Sequence, residues 1–204
     1  MPVFDAILFD FDGVLLDSEP VHCACWAAVL RPLGIRLTWE IYRDRFVGVV
    51  SREMLRVLAA EADPPLDWME LRALYPAKRE LFQRRMTAKP AFHPALDGLL
   101  AELHARHKLA VVSSSGCPEI EEILDAGKLR GHFDTVVGGG DVTRPKPAPE
   151  PYLLAAARLA ARAPLVVEDS EAGIASGRAA GFEVLPVRSP AEVPDLLRRV
   201  VLCT

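Results

Sequence analysis

Five short runs of mostly apolar residues stand out along the chain, and polar or glycine residues flank them. They lie at residues 5–9, 109–112, 134–137, 164–167 and 183–187. Short apolar runs without alternation are typical of strands that are buried on both faces of a parallel sheet. We therefore predict an α/β fold, in which helices cover a parallel sheet on both sides.

Helix-like stretches alternate with these runs from residue 89 onward. They cover about residues 94–106, 117–126, 149–161, 171–180 and 190–200. Gly127 and Gly181 follow two of these stretches, at positions where a glycine commonly ends a helix. The alternation of strand and helix predicts that this part of the chain forms one domain.

Between the first strand and residue 89 the pattern is helical and contains no convincing strand. Residues 18–31 begin with Ser18 as a candidate N-cap and have a proline in the first turn. Further along, an Asp-Pro-Pro sequence predicts a break between helices. We predict that residues 1–16 and 89–204 form the α/β domain and that residues 17–88 are inserted into it as an all-helical domain.

Composition narrows the classes of partner. The 204 residues carry a formal charge of −4, which argues against nucleic acid or an anionic membrane as partner. The chain has no apolar stretch of the ~20 residues that a membrane span needs, and its start does not resemble a signal peptide. Cysteines occur at positions 23, 25, 117 and 203 without a C-x-x-C pattern. We therefore expect reduced thiols and a cytoplasmic protein.

Polar residues follow the predicted strands where a parallel sheet places its ligand site. They are Asp10 and Asp12 after the first strand, Ser113, Ser114 and Ser115 after the second, Asp141 and Lys146 after the third, and Glu168 and Asp169 after the fourth. Each of them alone would ordinarily be a turn or cap residue. Together they offer carboxylates for Mg²⁺, a cation, and hydroxyl and N–H donors for phosphate oxygens.

Four segments, in order, resemble the motifs of the haloacid dehalogenase-like hydrolase superfamily. They are Phe9-Asp10-Phe11-Asp12-Gly13, Val112-Ser113-Ser114-Ser115, Lys146-Pro147-x-Pro149 and Val167-Glu168-Asp169-Ser170-x-x-Gly173. The helical insertion after the first motif resembles the cap of the subgroup that includes phosphoglycolate phosphatase and β-phosphoglucomutase. The resemblance implies a Rossmann-like parallel sheet as the core domain, with an inserted all-helical cap domain.

The resemblance also implies catalytic and metal-binding roles. Asp10 would be the nucleophile and a Mg²⁺ ligand. Asp12 would be the general acid and then the general base, with its backbone carbonyl on the metal. Asp169 would complete the metal shell, and Glu168 would be either a ligand or an acceptor behind it. Dehalogenation is not expected, because the branch with that activity lacks the second aspartate.

Further positions would bind the rest of the substrate. Ser113, Ser114 and Lys146 would hold the phosphate. In the cap, His22, Ser51 and Arg52 are the candidates for contacts with the leaving group. His22 and Arg52 resemble a histidine and an arginine of β-phosphoglucomutase, but Val47 and Cys117 replace a lysine and an asparagine of that mutase.

These implications define the expected function. The expected activity is a Mg²⁺-dependent phosphatase that hydrolyses small phosphorylated metabolites, sugar or polyol phosphates above all, through an aspartyl-phosphate. A phosphomutase of the β-phosphoglucomutase type is the alternative, and a non-catalytic binding protein on the same scaffold is a third. We expect a monomer or weak dimer.

Overall fold

The computed structural model describes residues 4–47 and 49–202. The chain forms two compact units. The first consists of Met1–Asp17 and Lys89–Thr204, and the second is Ser18–Ala88. Cys203, one of the predicted free thiols, lies outside the described residues.

The first unit contains a five-stranded, entirely parallel sheet. Its strands are β1 (Ala6–Phe9), β2 (Lys108–Val112), β3 (Thr135–Val137), β4 (Pro164–Glu168) and β5 (Glu183–Pro186). The order across the sheet is β3-β2-β1-β4-β5. β1 therefore lies in the centre, and every one of its side chains is buried, as its unbroken apolar run requires.

The second unit is helical in its described residues. Its helices are α1 (Glu19–Leu30), α2 (Trp39–Arg45), α3 (Ser51–Glu61), α4 (Trp68–Arg72) and α5 (Tyr75–Ala88). They enclose a hydrophobic core of their own, in which Trp26, Leu55 and Leu71 are almost completely buried. Ser18 occupies the N-cap position of α1, but its side chain makes no capping hydrogen bond. The expected cap is therefore wrong in its contact, although the helix begins where predicted.

The remaining helices belong to the α/β unit. They are α6 (Leu96–His104), α7 (Cys117–Ala126), α8 (Glu150–Leu159), α9 (Glu171–Ala179) and α10 (Val193–Leu197). The predicted last helix is shorter than expected, because π-helical residues Arg198–Leu202 follow α10. The predicted α/β fold is confirmed. No helix in the described parts of the chain has the length and apolarity to cross a membrane.

Candidate active site

The carboxyl ends of three adjacent strands bring the motif residues to one edge of the sheet. Asp10 follows β1, and its N–H continues the ladder by donating to the Val167 carbonyl at 3.0 Å. Ser113 follows β2 and donates in the same way to the Val137 carbonyl at 2.9 Å. Glu168 is the last residue of β4, with Asp169 next to it. The parallel pairing of the strands therefore fixes the backbone positions of these residues at the edge of the sheet.

The Lys146 ammonium is buried at this edge and contacts the ends of three strands. Its Nζ donates to Asp10 Oδ1 at 2.6 Å, to Glu168 Oε1 at 2.6 Å and to the Val112 carbonyl at 3.0 Å. The Lys146 side chain is only 7% exposed. Although burial opposes a charge there, the carboxylates of Asp10 and Glu168 raise the pKa of Lys146 above its usual value. The ammonium is therefore a fixed positive charge beside Asp10.

Both carboxylate oxygens of Glu168 are occupied by protein donors. Oε1 accepts from Lys146 and from the Tyr152 hydroxyl, the latter at 2.9 Å. Oε2 accepts from the Asp169 and Ser170 N–H groups, both at 2.9 Å, and from the Ser170 hydroxyl at 3.0 Å. A Cβ at Gly173 would overlap the Glu168 carboxylate. Of the two predicted roles for Glu168, these contacts favour an acceptor behind the metal shell that positions Lys146.

Three carboxylates form a cluster that suits a hard divalent cation. One oxygen from each of Asp10, Glu168 and Asp169 lies within 4.8 Å of the others. An all-oxygen donor set of this kind fits Mg²⁺. A Cβ at Gly13, whose φ is +81°, would overlap Asp169 Oδ2, so the turn after β1 leaves the carboxylate its space. The residues present therefore fit the metal that the motifs imply.

The raised pKa values of the carboxyl groups in the cluster also favour a bound cation. Burial raises the pKa of Asp10 to about 8 against the pull of Lys146, and repulsion by Glu168 and Asp12 adds to the rise. Asp169 is exposed at the surface, but desolvation of its carboxylate and then repulsion by Glu168 raise its pKa to about 6. Asp12, which is partly buried, contributes to both shifts and so belongs electrostatically to the cluster. A bound cation would relieve this repulsion and ionise both groups.

The serine segment after β2 forms the opening of α7. Ser113 is buried, and its Oγ accepts from the Ser115 N–H at 3.1 Å. Ser114 is exposed and directly follows it. Glu119 accepts from the Gly116 N–H at 3.0 Å. Because Val112, immediately before this segment, holds Lys146, the predicted phosphate-binding positions share one strand end.

Asp141 does not join the cluster. Its carboxylate accepts from the Cys117 thiol at 3.2 Å, from the Gly138 N–H at 3.1 Å and from Arg158 at 3.3 Å. Asp141 therefore stabilises the loop after β3 instead. The Cys117 thiol is committed to the same loop.

Two of the three predicted substrate residues of the helical unit, His22 and Arg52, have side-chain contacts within that unit. His22 stacks on Phe82 with ring centroids 4.1 Å apart, and its Nδ1 lies 2.5 Å from Lys78 Nζ. Burial and then the Lys78 charge lower the pKa of His22 to about 3. Ser51 is the first residue of α3, and the exposed Arg52 pairs with Glu53 at 3.2 Å. Their roles toward a substrate remain predictions.

Sequence reasoning missed two buried polar groups. The sequence indicates a helix around Tyr152 and no role for it, yet its hydroxyl donates to Glu168 and its ring lies 5.0 Å from Lys146 Nζ. Lys78 is buried between His22 and the rings of Trp26 and Phe82. It is the one lysine between residues 18 and 88. That rarity was the available signal for Lys78, whereas the apolar spacing around Tyr152 gives none.

The chain is similar in sequence to known proteins of one family. The model of the family described as haloacid dehalogenase-like hydrolase matches residues 7–187. A phosphorylated carbohydrates phosphatase of Thermotoga maritima is 33% identical over 183 residues, which cover 88% of this chain and 82% of that protein. A fructose-1-phosphate phosphatase of Escherichia coli is 29% identical over 199 residues, 91% of this chain and 97% of that protein.

One solved structure is similar to almost the entire chain. A crystal structure from Thermotoga maritima, described as a candidate β-phosphoglucomutase, superposes with a TM-score of 0.76 at 26% identity. The superposition covers 97% of this chain and all of that one.

Proposed function

Because the chain belongs to the haloacid dehalogenase-like hydrolase family, we propose that it hydrolyses phosphate monoesters of small metabolites through a phosphorylated Asp10. The phosphatase activity of the relatives supports a phosphoric monoester hydrolase. The observation that carries the assignment of Asp10 is its contact with a buried ammonium. Asp10 Oδ1 lies 2.6 Å from Lys146 Nζ inside a cluster of carboxylates.

Mg²⁺ is the proposed cofactor. Asp10 and Asp169 would hold it with their carboxylates, and Asp12 would contribute its backbone carbonyl. When bound, the ion would neutralise the clustered negative charge and polarise the phosphoryl group. The donor set supports a hard cation, and the choice of Mg²⁺ rests on the family resemblance.

The first half of the reaction is assigned to Asp10 and Asp12. An Asp10 carboxylate oxygen forms a bond to phosphorus while the bond from phosphorus to the ester oxygen breaks. Asp12 gives its proton to the departing oxygen, so the leaving group departs as an alcohol. Lys146 faces Asp10 and offsets the repulsion between a carboxylate and a phosphate, which is roughly 4 kcal/mol per charge pair at ~4 Å with an effective dielectric near 20.

The second half returns the enzyme to its starting state. Asp12, now a carboxylate, takes a proton from water, and the water oxygen attacks phosphorus. The bond between phosphorus and Asp10 breaks and inorganic phosphate leaves. Ser113 and Ser114 are the proposed donors to the phosphate oxygens throughout.

Sugar or polyol phosphates are the proposed substrates, which the names of two relatives support. His22, Ser51 and Arg52 of the helical unit are the proposed contacts to the leaving group. The likeness to a structure described as a candidate β-phosphoglucomutase favours the phosphomutase as the second candidate. The two activities differ in whether water or a sugar hydroxyl attacks the phosphorylated Asp10. A cytoplasmic location is proposed from the cysteine pattern.

The test is a phosphate-release screen over a broad panel of phosphorylated metabolites with Mg²⁺, with Asp10→Asn as the blank. We expect release from several sugar or polyol phosphates and none from the variant. Release that survives in Asp10→Asn would refute the nucleophile. Formation of glucose 6-phosphate from β-glucose 1-phosphate with a trace of the bisphosphate would instead identify the mutase.

A further inference from the structure

The loop that carries Lys146 is poor in backbone hydrogen bonds. Prolines stand at positions 145, 147 and 149, and a proline has no N–H to donate. Within residues 145–149 of the described chain, the one backbone hydrogen bond runs from the Ala148 N–H to the Pro145 carbonyl at 2.9 Å. The position of the loop therefore depends on side chains from neighbouring elements.

Two side chains hold this loop, one on each side of the lysine. Before the lysine, the Glu150 carboxylate accepts from the Thr143 N–H at 2.7 Å and from the Arg144 N–H at 3.2 Å. After it, the Ser176 hydroxyl donates to the Ala148 carbonyl at 2.6 Å. Glu150 is partly exposed, whereas Ser176 is completely buried. Water cannot replace the Ser176 hydroxyl, so its loss would leave the Ala148 carbonyl without a donor.

The hydroxyl of Ser176 bonds far from its own helical turn. A serine inside a helix commonly returns its hydroxyl to the carbonyl one turn earlier. Ser176 lies within α9 but bonds a carbonyl 28 residues away in the chain. The helix itself lies close against the sheet, since a Cβ at Gly177 would come within 2.9 Å of the Val184 side chain. The bond therefore connects the lysine loop to a closely packed helix.

The same strand and helix hold both ends of Lys146. Glu168, the last residue of β4, accepts from the Lys146 ammonium at 2.6 Å and from the hydroxyl of Ser170, the N-cap residue of α9. Ser176, further along α9, holds the main chain of the lysine loop at Ala148. The ammonium and the backbone of Lys146 are thus both referred to β4 and α9.

A lysine needs such support to act as a fixed charge. Its ammonium sits on a flexible four-carbon stem, so the position of the charge follows the position of the main chain. Lys146 Nζ lies 2.6 Å from Asp10 Oδ1, a distance that a shift of the loop would lengthen. A misplacement of ~1 Å near the reacting groups can cost about 10²-fold in rate.

We propose that Ser176 is a positioning residue for the candidate active site, which acts through the Ala148 carbonyl on the placement of Lys146 beside Asp10. Ser176 has no exposed surface, so it is out of reach of a substrate and acts only through the loop. The consequence for catalysis rests on the proposed function. The placement of the lysine rests on the hydrogen bonds alone.

The Lys146 ammonium provides a direct readout of its own position. Buried, hydrogen-bonded ammonium groups exchange protons slowly with water, so full-length ¹⁵N-labelled, metal-free protein gives Nζ signals at mildly acidic pH and low temperature. Loss of one signal in Lys146→Met identifies the lysine. We expect Ser176→Ala to shift or broaden the Lys146 signal and to leave the signal of the buried Lys78 in place.

Kinetics test the consequence for turnover. Ser176→Ala should lower kcat/KM about tenfold, because the other contacts of the ammonium keep part of its placement. The factor should be the same for every substrate of the panel, since Lys146 faces Asp10 and hence the phosphoryl group that all substrates share. Alanine is a better helix former than serine, so α9 should stay intact, which circular dichroism checks.

Ser189→Ala is the matched control. Ser189 is a partly buried serine of the same unit, and its hydroxyl has no hydrogen bond within the described chain. Its substitution should change neither the Lys146 signal nor kcat/KM.

Three results would overturn the proposal. They are a Lys146 signal that Ser176→Ala leaves unchanged, a shifted signal with the kcat/KM of the wild type, and a loss of kcat/KM that differs between substrates. If the wild type releases no phosphate from any substrate, the proposed function fails. The Lys146 signal then still decides whether Ser176 sets the position of the lysine, so the two failures are distinguishable.

Discussion

At the scale of single residues, Glu168 shows how a buried charge is kept without a solvent contact. It is fully buried and accepts hydrogen bonds from Lys146, Tyr152, Ser170 and the Asp169 N–H. An unsatisfied carboxylate at such a site would be costly, so each donor contributes to stability. The same bonds hold the Lys146 ammonium beside Asp10, and we propose that Glu168 and Tyr152 position it there.

The contribution of the Tyr152 hydroxyl to the stability of the protein can be measured. Tyr152→Phe removes one donor to a buried charged acceptor, and we expect the free energy of unfolding to fall by about 1.5–3 kcal/mol. The ring is kept, so the change reports on the hydrogen bond rather than on packing. Urea denaturation measures it. Tyr75→Phe, at an exposed ring, is the control and should change stability by less than about 0.5 kcal/mol. Equal effects in the two variants would contradict the role of the bond.

Metal binding should release protons from the cluster. The pKa of Asp10 is about 8 and that of Asp169 about 6 in the metal-free protein, and both groups must ionise to bind a cation. We expect Mg²⁺ affinity to rise as the pH increases from 6 to 8. At pH 7 about one proton should leave per ion, most of it from Asp10. Calorimetry in two buffers of different ionisation enthalpy measures the release.

Asp10→Asn is the control for this linkage, because its amide has no proton to give up. The variant should bind Mg²⁺ more weakly and with much less proton release. Proton release that persists undiminished in Asp10→Asn would locate the titrating group elsewhere.

At the level of residues, the sequence pattern places polar groups relative to the ends of the strands. The position of Asp10 or Lys146 relative to a strand follows from pattern and motif order, and the structure brings these two groups within 2.6 Å. Tyr152 could not be found in this way, since a tyrosine on the apolar face of a helix is ordinarily core. Only the fold shows that its hydroxyl meets Glu168 across the sheet edge. Asp141 also follows a strand, but its carboxylate accepts from Cys117 and from the Gly138 N–H in its own loop.

At the scale of elements, the turn after β1 is where backbone conformation and the site coincide. Gly13 has φ +81°, which a side chain disfavours, and a Cβ there would overlap the Asp169 carboxylate. We expect Gly13→Ala to cost about 1–2 kcal/mol of stability and to weaken Mg²⁺ binding and turnover at least tenfold. Denaturant unfolding and Mg²⁺ titration measure the two effects.

Gly181 provides the matched control for that turn. It lies in the same unit with φ +79°, and a Cβ there would have no described atom within 4 Å. Gly181→Ala should therefore show the same backbone cost with no loss of Mg²⁺ affinity. If both substitutions weaken the metal equally, displacement of Asp169 is not the cause.

Prediction of the elements depended on how strongly each pattern excludes alternatives. The apolar run of β1 can only be buried, and the structure pairs it on both sides. The sequence does not determine the capping contact of α1, because a serine at a helix start can also turn its hydroxyl away. Ser18 is buried and leaves the capping bond unmade. The predicted end of the last helix is wrong for a related reason. The spacing of residues alone does not distinguish α-helical from π-helical turns.

At the scale of the whole molecule, the described residues form a hydrophobic core in each unit, and the pKa shifts predict opposite responses of the two units to pH. In the α/β unit, the raised pKa values of Asp10 and Asp169 mean that the folded state holds protons which the unfolded state has lost. Without metal, the stability of this unit should therefore fall as the pH rises from about 4 to 8. In the helical unit, the pKa of His22 is lowered to about 3. Between pH 3 and 6.5 the unfolded state therefore binds a proton at His22 that the folded state does not bind. Its stability should fall as the pH drops from about 6.5 toward 3.

Tryptophan fluorescence separates these responses, because Trp26, Trp39 and Trp68 all belong to the helical unit. In urea unfolding we expect the fluorescence midpoint to fall on acidification from pH 7 to 4.5, by an amount equivalent to about 2 kcal/mol. His22→Phe, which keeps a ring against Phe82, should reduce that fall. Far-ultraviolet circular dichroism reports on both units. The urea midpoint that it measures should fall as the pH rises from about 5 to 8, and Mg²⁺ should reverse that fall. Fluorescence and circular dichroism midpoints that move together at every pH, with and without Mg²⁺, would contradict separate stabilities, because a single cooperative unit cannot lose stability in opposite directions at once.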